Sequence, residues 1–246
     1  MQNAELYTKT VCLEVADLDP SGSVRLPVLL DHMQRVADGH AEAFGVGREA
    51  TVAHGVVWIL ARLRVELQAP LQRGAMVIRT WPGKTLRAIC PRYFAFETPQ
   101  GERLGAAATA WTLMDLRTHR LTTPQKCGLP FDPQGALAPP MELPGRIDGA
   151  QEAKSGVLRE AVYSDLDVNG HVNNARYANW VCDLLGPACF ETHYAQMLQI
   201  NYHREILPGM QVRLLSERRG EVVCISGAGA TDQTLHFEAQ VRLATR

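Results

Sequence analysis

The sequence has no long apolar run and no strong excess of charge of either sign. Its longest uninterrupted apolar stretch, residues 56–61, has six residues, whereas a membrane-spanning helix needs about 20. The 25 Lys and Arg residues nearly balance the 26 Asp and Glu residues, so the basic excess typical of a nucleic-acid-binding protein is missing. The first residues lack the basic and then apolar pattern of an export signal. We therefore expect a cytoplasmic protein with no membrane span and no nucleic-acid partner.

The six cysteines are widely separated, and none forms a C-x-x-C pair. This spacing argues against a zinc site or a redox dithiol, so we expect reduced thiols and neither a metal nor another cofactor. The G-x-S-x-G pattern that presents a serine nucleophile in many hydrolases is also missing.

One stretch is rich in proline and glycine. Six of the 14 prolines lie between Pro124 and Pro144. Because proline cannot donate a backbone hydrogen bond and glycine has no preferred backbone conformation, the stretch predicts a linker. We assign residues 1–122 to an N-terminal domain, 123–155 to the linker and 156–246 to a C-terminal domain that carries the active site.

The two halves contain similar segments. Residues 16–24 (ADLDPSGSV) match residues 164–172 (SDLDVNGHV), and apolar residues at helical spacing follow each copy. The pattern predicts that Gly45 ends the first helix, that Asn173 or Asn174 caps the second helix at its start, and that Gly186 ends it.

Strand-like runs follow each predicted helix, about four in each half. Residues 63–67 and 92–97 alternate between polar and apolar, which is typical of half-buried strands. An α+β fold is therefore expected, in which the long helix of each half buries its apolar stripe against an antiparallel sheet. Two such halves in tandem would imitate a dimer.

Polar side chains are concentrated in residues 165–174 (DLDVNGHVNN), just before the second predicted helix. If the backbone is extended there, Asp167, Asn169 and His171 point to the same side. The free N–H groups of the helix N-terminus could then help to hold an oxyanion. A turn followed by a helix cap explains the same residues without chemistry.

The first copy of the segment has Asp19, Ser21 and Ser23 at the equivalent positions. It keeps the turn-forming residues but lacks the amide and the imidazole. If a turn and a cap were the only requirement, both copies would serve equally. The difference favours a catalytic role for the second copy and one active site per chain.

Residues 164–180 (SDLDVNGHVNNARYANW) resemble the acyl-ACP thioesterases of plants and bacteria. Residues 80–83 (TWPG) and 110–121 (AWTLMDLRTHRL) of the first half also resemble that family. The resemblance implies a tandem double hot-dog fold, in which a curled antiparallel sheet wraps a long helix in each half. It also implies hydrolysis of the thioester between a fatty acyl chain and acyl carrier protein (ACP), which ends fatty acid synthesis. ACP would then be the partner.

The resemblance further implies the site residues. The candidate catalytic residues are Asp167, Asn169, His171 and Glu205, and the candidate substrate-binding residues are Asn173, Asn174 and Tyr177. Plant relatives often have a cysteine directly after the acid, whereas this sequence has Ile206, so a thiol cannot attack from that position.

Direct attack by water is therefore the expected mechanism. In this hypothesis Glu205 is buried and acts as general base. Asn169 donates to the thioester carbonyl, and His171 polarises that carbonyl or relays the proton. The sequence leaves open whether His171 or Glu205 takes the first proton.

Three alternatives stay open: a hot-dog hydrolase of acyl-CoA, a non-catalytic acyl-binding protein, and a hot-dog dehydratase. No phosphate-binding motif for CoA is visible, and the chain has no room for a separate effector domain. The candidate contacts to the acidic carrier protein are Lys84, Arg87 and Arg92, or Arg218 and Arg219. The tandem pair could also associate as a homodimer.

Overall fold

The structure, a computed structural model, describes residues 5–150 and 156–246. The chain divides into two compact units. The N-terminal unit comprises Met1–Leu13, Asp31–Val65 and Gly74–Pro144, and the C-terminal unit comprises Glu14–Leu30, Glu66–Arg73 and Gly145–Arg246. The first copy of the repeated segment therefore belongs to the C-terminal unit.

The strands of the first half form an antiparallel sheet. They are β1 (Tyr7–Leu13), β2 (Val56–Leu67), β3 (Gly74–Pro82), β4 (Cys90–Glu97), β5 (Arg103–Asp115) and β6 (Leu121–Thr122). Their order is β1-β3-β4-β5-β2, and β6 pairs with β5. The apolar stretch at 56–61 and the predicted strand at 63–67 are one continuous strand. The predicted half-buried alternation of residues 92–97 is wrong, because most of β4 is buried on both faces.

Three helices occur in this half: α1 (Leu26–Ala43), α2 (Arg48–Ala53) and α3 (Pro124–Cys127). Gly45 follows α1 with φ 75°, a left-handed conformation that glycine adopts without strain, and the predicted end of the first helix is confirmed. Phe44 packs against a buried cluster that includes Val56 and Leu113. In residues 5–150 and 156–246, no helix combines the length and apolar character needed to cross a membrane.

Part of the segment predicted as a linker lies in the core of the N-terminal unit. Leu129 and Phe131 are buried in the same cluster, and the Phe131 ring lies edge-on to Trp58 with 5.3 Å between centroids. After α3 the backbone of this stretch is irregular, and apolar side chains anchor it to the core.

The second half has strands β7 (Gly156–Glu160), β8 (His193–Tyr202), β9 (Gln211–Arg219), β10 (Val222–Gly229) and β11 (Leu235–Thr245), and helices α4 (Arg176–Leu185) and α5 (Pro187–Thr192). The strands pair antiparallel in the order β8-β11-β10-β9-β7. Tyr177 of α4 lies edge-on to Tyr202 and Phe237, each at 5.1 Å, so the buried face of α4 packs on β8 and β11. The α+β class is observed.

The ends of α4 differ in how well they were predicted. Gly186 is the C-cap, with φ 78°, as expected. The N-cap is Ala175, so the assignment of Asn173 or Asn174 to that position is wrong. Asn173 instead accepts a hydrogen bond from the amide of Ala175 at 2.8 Å, just outside the helix.

Candidate active site

The polar segment before α4 forms a closed turn. Leu166 and Val172 form an isolated antiparallel bridge, and the amide of Asp167 donates to the carbonyl of His171 at 3.0 Å. Gly170 closes the turn with φ 79°, in the left-handed region that glycine favours. The backbone is therefore a turn and not extended, and the turn itself brings the polar side chains together.

Asp167 organises the other two residues of this turn. Its carboxylate accepts from the backbone amide of Asn169 at 2.7 Å and from the side-chain amide of Asn169 at 3.4 Å. The same carboxylate lies 3.8 Å from Nδ1 of His171. A side-chain amide nitrogen carries two hydrogens, and the bond to Asp167 uses one of them.

Glu205 reaches the site from the loop between β8 and β9. Its Oε2 lies 3.9 Å from Nε2 of His171, and the two loops are joined by a bond from the amide of Val172 to the carbonyl of Ile206 at 2.9 Å. The imidazole therefore lies between two carboxylates, one facing each ring nitrogen. The structure brings together all four residues predicted to be catalytic.

The solvent exposure of the side chains increases from Asp167 to His171 to Glu205. The side chains of Asp167, His171 and Glu205 are 17%, 31% and 64% exposed. The expectation that Glu205 is buried is wrong, because its loop turns the carboxylate toward solvent while the next residue, Ile206, is fully buried. The most accessible proton acceptor of the site is therefore Glu205.

The three predicted substrate-binding residues have different surroundings. The side chain of Asn173 accepts from the amide of Ala175 and so stabilises the turn before α4. The carbonyl of Asn174 accepts from the Tyr202 hydroxyl at 2.9 Å. Tyr177 is buried, and burial followed by the carboxylates of Glu205 and Asp167 raises its pKa. Tyr177 therefore interacts electrostatically with both carboxylates of the site.

The expected contribution of the α4 N-terminus is reduced by local hydrogen bonds. The amide of Ala175 donates to the Asn173 side chain, and the amide of Arg176 donates to the Asn173 carbonyl at 2.8 Å. These two N–H groups already have acceptors in the turn, so the arrangement does not present them to a substrate.

Asp165 is a residue of the segment that the sequence interpretation missed. It is only 3% exposed, and its carboxylate accepts from Trp180 Nε1 at 3.3 Å and lies 3.6 Å from the Arg159 guanidinium. Its carbonyl accepts from the amide of Asn173 at 2.9 Å. The repeat could have pointed to Asp165, because Asp17 occupies the same position in the first copy.

The first copy forms a similar turn but has a different neighbour. The carboxylate of Asp19 accepts from the amides of Ser21 and Ser23 at 2.9 and 3.2 Å. The guanidinium of Arg246 donates to the hydroxyl of Ser23 at 2.8 Å and to that of Ser21. An arginine therefore engages the hydroxyls that stand in place of the amide and the imidazole, which supports one active site per chain.

One of the predicted carrier-protein contacts is wrong. Arg92 is buried, and its Nη1 lies 3.0 Å from Nδ1 of His40. Burial lowers the pKa of Arg92 to about 10. Together with Asp38 and mainly apolar side chains, it lines a cavity of about 70 Å³ in the N-terminal unit. The other four candidates, Lys84, Arg87, Arg218 and Arg219, are exposed and stay predictions.

The fold defines a tandem double hot-dog protein, as expected. It matches the crystal structure of an acyl-ACP thioesterase from Bacteroides thetaiotaomicron VPI-5482 with a TM-score of 0.87, at 22% identity over 97% of this chain and 98% of that one. It also matches the 12:0-ACP thioesterase from Umbellularia californica with a TM-score of 0.84, at 21% identity over 100% of this chain and 99% of that one.

Sequence families agree with the fold. The family described as acyl-ACP thioesterase N-terminal domain matches residues 4–125, and the acyl-ACP thioesterase C-terminal domain matches residues 151–244. The chain belongs to the acyl-ACP thioesterase family.

Curated relatives are similar over most of this chain. The chloroplastic palmitoyl-acyl carrier protein thioesterase of Cuphea hookeriana is 22% identical over 83% of this chain and 53% of its own length. The chloroplastic oleoyl-acyl carrier protein thioesterase 1 of Arabidopsis thaliana is 25% identical over 95% of this chain and 70% of its own length. The chain thus spans about half the length of the Cuphea relative.

Proposed function

We propose that this chain hydrolyses the thioester of fatty acyl-ACP and releases free fatty acid and ACP. The proposal depends on one observation: His171 lies between Asp167 and Glu205, at 3.8 and 3.9 Å. Membership of the acyl-ACP thioesterase family supports it. Glu205 is exposed enough to meet a water molecule and an incoming acyl group.

In the proposed mechanism water attacks the thioester carbonyl directly. Glu205 accepts the proton of that water, and His171 polarises the carbonyl or relays the proton. Asp167 orients the imidazole through Nδ1 and holds Asn169, whose side-chain amide donates to the developing oxyanion. The contacts of His171 are longer than hydrogen bonds, and we expect them to shorten when substrate binds.

The state of Cys182 favours this route over a covalent one. Cys182 lies in α4, the helix that follows the turn, and burial raises its thiol pKa to about 12. Because the thiolate is the nucleophilic form, this cysteine stays protonated and unreactive at neutral pH. The departing thiol of the carrier needs little assistance, since ordinary thiols have a pKa of about 8.5.

The test is thiol release from matched acyl-ACP and acyl-CoA substrates of several chain lengths. Wild type is compared with His171→Ala, Glu205→Ala and a control, Ser23→Ala, which changes the position equivalent to His171 in the first copy. We expect turnover of acyl-ACP that is lost in the first two variants and kept in the control.

Two other outcomes would replace the proposal. Preference for acyl-CoA with the same variant pattern would indicate the hydrolase of acyl-CoA. No turnover of either substrate, with tight acyl binding retained in His171→Ala, would indicate a binding protein whose motif only shapes the fold.

We also propose a cytoplasmic location, which the six free cysteines support, because reduced thiols are the rule in that compartment. Fractionation of the source cells tests it. The oligomeric state stays a prediction, and sedimentation velocity distinguishes a homodimer from a monomer.

A further inference from the structure

The side chain of Glu205 is weakly restrained. It is 64% exposed, and its carboxylate lies 3.9 Å from Nε2 of His171. A long exposed side chain loses conformational entropy when it is fixed, so such a contact does little to hold it. The position of the carboxylate therefore depends on how the backbone of residues 203–206 is held.

His236 holds this backbone from β11. The side chain is 5% exposed, and its Nδ1 lies 3.0 Å from the carbonyl oxygen of Glu205 and 3.4 Å from that of Arg204. A carbonyl only accepts hydrogen bonds, so Nδ1 carries the proton and donates. The backbone carbonyl of His236 in turn accepts from the amides of His203 and Arg204 at 2.8 and 3.2 Å.

The loop is anchored on both sides of Glu205. Ile206, directly after it, is fully buried, and its carbonyl accepts from the amide of Val172. That second bond ties the loop to the turn that carries His171. His236 on one side and Ile206 on the other therefore leave the Glu205 backbone little freedom relative to the imidazole.

We propose that His236 is a positioning residue for Glu205: its Nδ1–H fixes the Glu205 carbonyl and thereby keeps the carboxylate beside His171. This inference rests on the proposed function, because that function gives Glu205 its role in the reaction. Because His236 is buried and its Nδ1 faces the loop carbonyls, it acts on Glu205 through the backbone and not as a catalytic group.

The first test replaces the donor and then restores it. His236→Leu keeps an apolar body but cannot donate, and we expect kcat for acyl-ACP to fall roughly tenfold, the size of one lost hydrogen bond, with KM unchanged. His236→Asn places an amide donor close to the position of Nδ1, and we expect it to recover most of the loss. If His236→Leu does not fold, His236→Gln, whose donor is displaced by one methylene, takes its place.

A matched control separates position from stability. Ser226→Ala in β10 removes a buried bond of the same type, from the Ser226 hydroxyl to the carbonyl of Ala150 at 2.9 Å. We expect this variant to unfold at a lower temperature but to keep its kcat. Equal losses of kcat in Ser226→Ala and His236→Leu would contradict a positioning role.

A double-mutant comparison tests the route through Glu205. In a Glu205→Gln background, His236→Leu should change the residual rate by less than twofold, because the group that it positions is already inactive. A further tenfold loss in that background would overturn the inference and show that His236 acts elsewhere.

A crystal structure of His236→Leu gives a readout that does not depend on turnover. We expect the Glu205 carboxylate to move well beyond its 3.9 Å distance from Nε2 of His171. A carboxylate that stays about 4 Å from Nε2 overturns the inference. Failure of the proposed function would look different, because wild type would then release no thiol from acyl-ACP or would prefer acyl-CoA, while this displacement would still occur.

Discussion

The buried carboxylate of Asp165 should be one of the main stabilising groups of the turn that carries the candidate site. Asp165→Ala removes the acceptor for Trp180 Nε1 and the anion opposite Arg159. It also removes the acceptor for the backbone amide of Val162, now at 3.1 Å. Arg159 is 35% exposed and also faces Asp183 at 3.4 Å, so the main cost comes from the Trp180 and Val162 donors that lose their acceptor. A buried donor without an acceptor costs about 1–3 kcal/mol, so we expect a total loss of unfolding free energy of about 2–4 kcal/mol.

The repeat supplies a matched control for this loss. Asp17 stands at the same position of the first copy and accepts from the amide of Glu14 at 2.8 Å, but that bond is exposed. Loss of an exposed hydrogen bond costs about 1 kcal/mol or less. Asp17→Ala should therefore be much milder than Asp165→Ala, although the two substitutions are chemically identical.

An isosteric variant separates the charge from the hydrogen bonds. Asp165→Asn keeps an acceptor for Trp180 but loses the charge opposite Arg159, so we expect an intermediate loss of stability. Urea unfolding at pH 7 measures all three variants, with circular dichroism as the probe. Similar losses in Asp17→Ala and Asp165→Ala would refute the reasoning, because burial would then make no difference to the cost.

Two further predictions concern the turn and the thiols. Gly170→Ala should lower the unfolding free energy by about 1–2 kcal/mol from its left-handed backbone alone, since nothing lies within 4 Å of the added Cβ. Gly220→Ala, with φ 62° in the β9–β10 hairpin, should cost as much in urea unfolding. Only Gly170→Ala should also slow turnover. Cys182→Ala should retain the proposed acyl-ACP hydrolysis, because the proposed mechanism has no thiol nucleophile. A tenfold loss of kcat in a folded variant would argue for a covalent route.

Local patterns predicted much of the fold. The apolar spacing and the two glycines placed the ends of α1 and α4 because left-handed backbone at a helix end favours glycine. The start of α4 was missed because two asparagines in succession both suit a cap, and tertiary contacts decide between them. Asn173 lies outside the helix, and the carbonyl of Asn174 accepts from Tyr202.

The candidate site was predicted as a set of residues but not as a geometry. The repeated segment and the resemblance gave Asp167, His171 and Glu205, which the structure brings together. The exposure of Glu205 could not be predicted, because it depends on how the loop after β8 is held by β11. His236 was missed for the same reason, since no local pattern links it to a residue 31 positions earlier in the chain.

The two copies of the repeated segment show how one turn serves two purposes. In both, an aspartate carboxylate accepts the amide of the residue two positions later, Ser21 or Asn169. In the first copy the hydroxyls that follow are bound by Arg246, so the turn joins two parts of the C-terminal unit. In the second copy the imidazole of His171 faces Glu205 across 3.9 Å. The turn is therefore a structural requirement of each copy. The side chains at its tip decide whether it makes a structural contact with another segment or forms a candidate catalytic site.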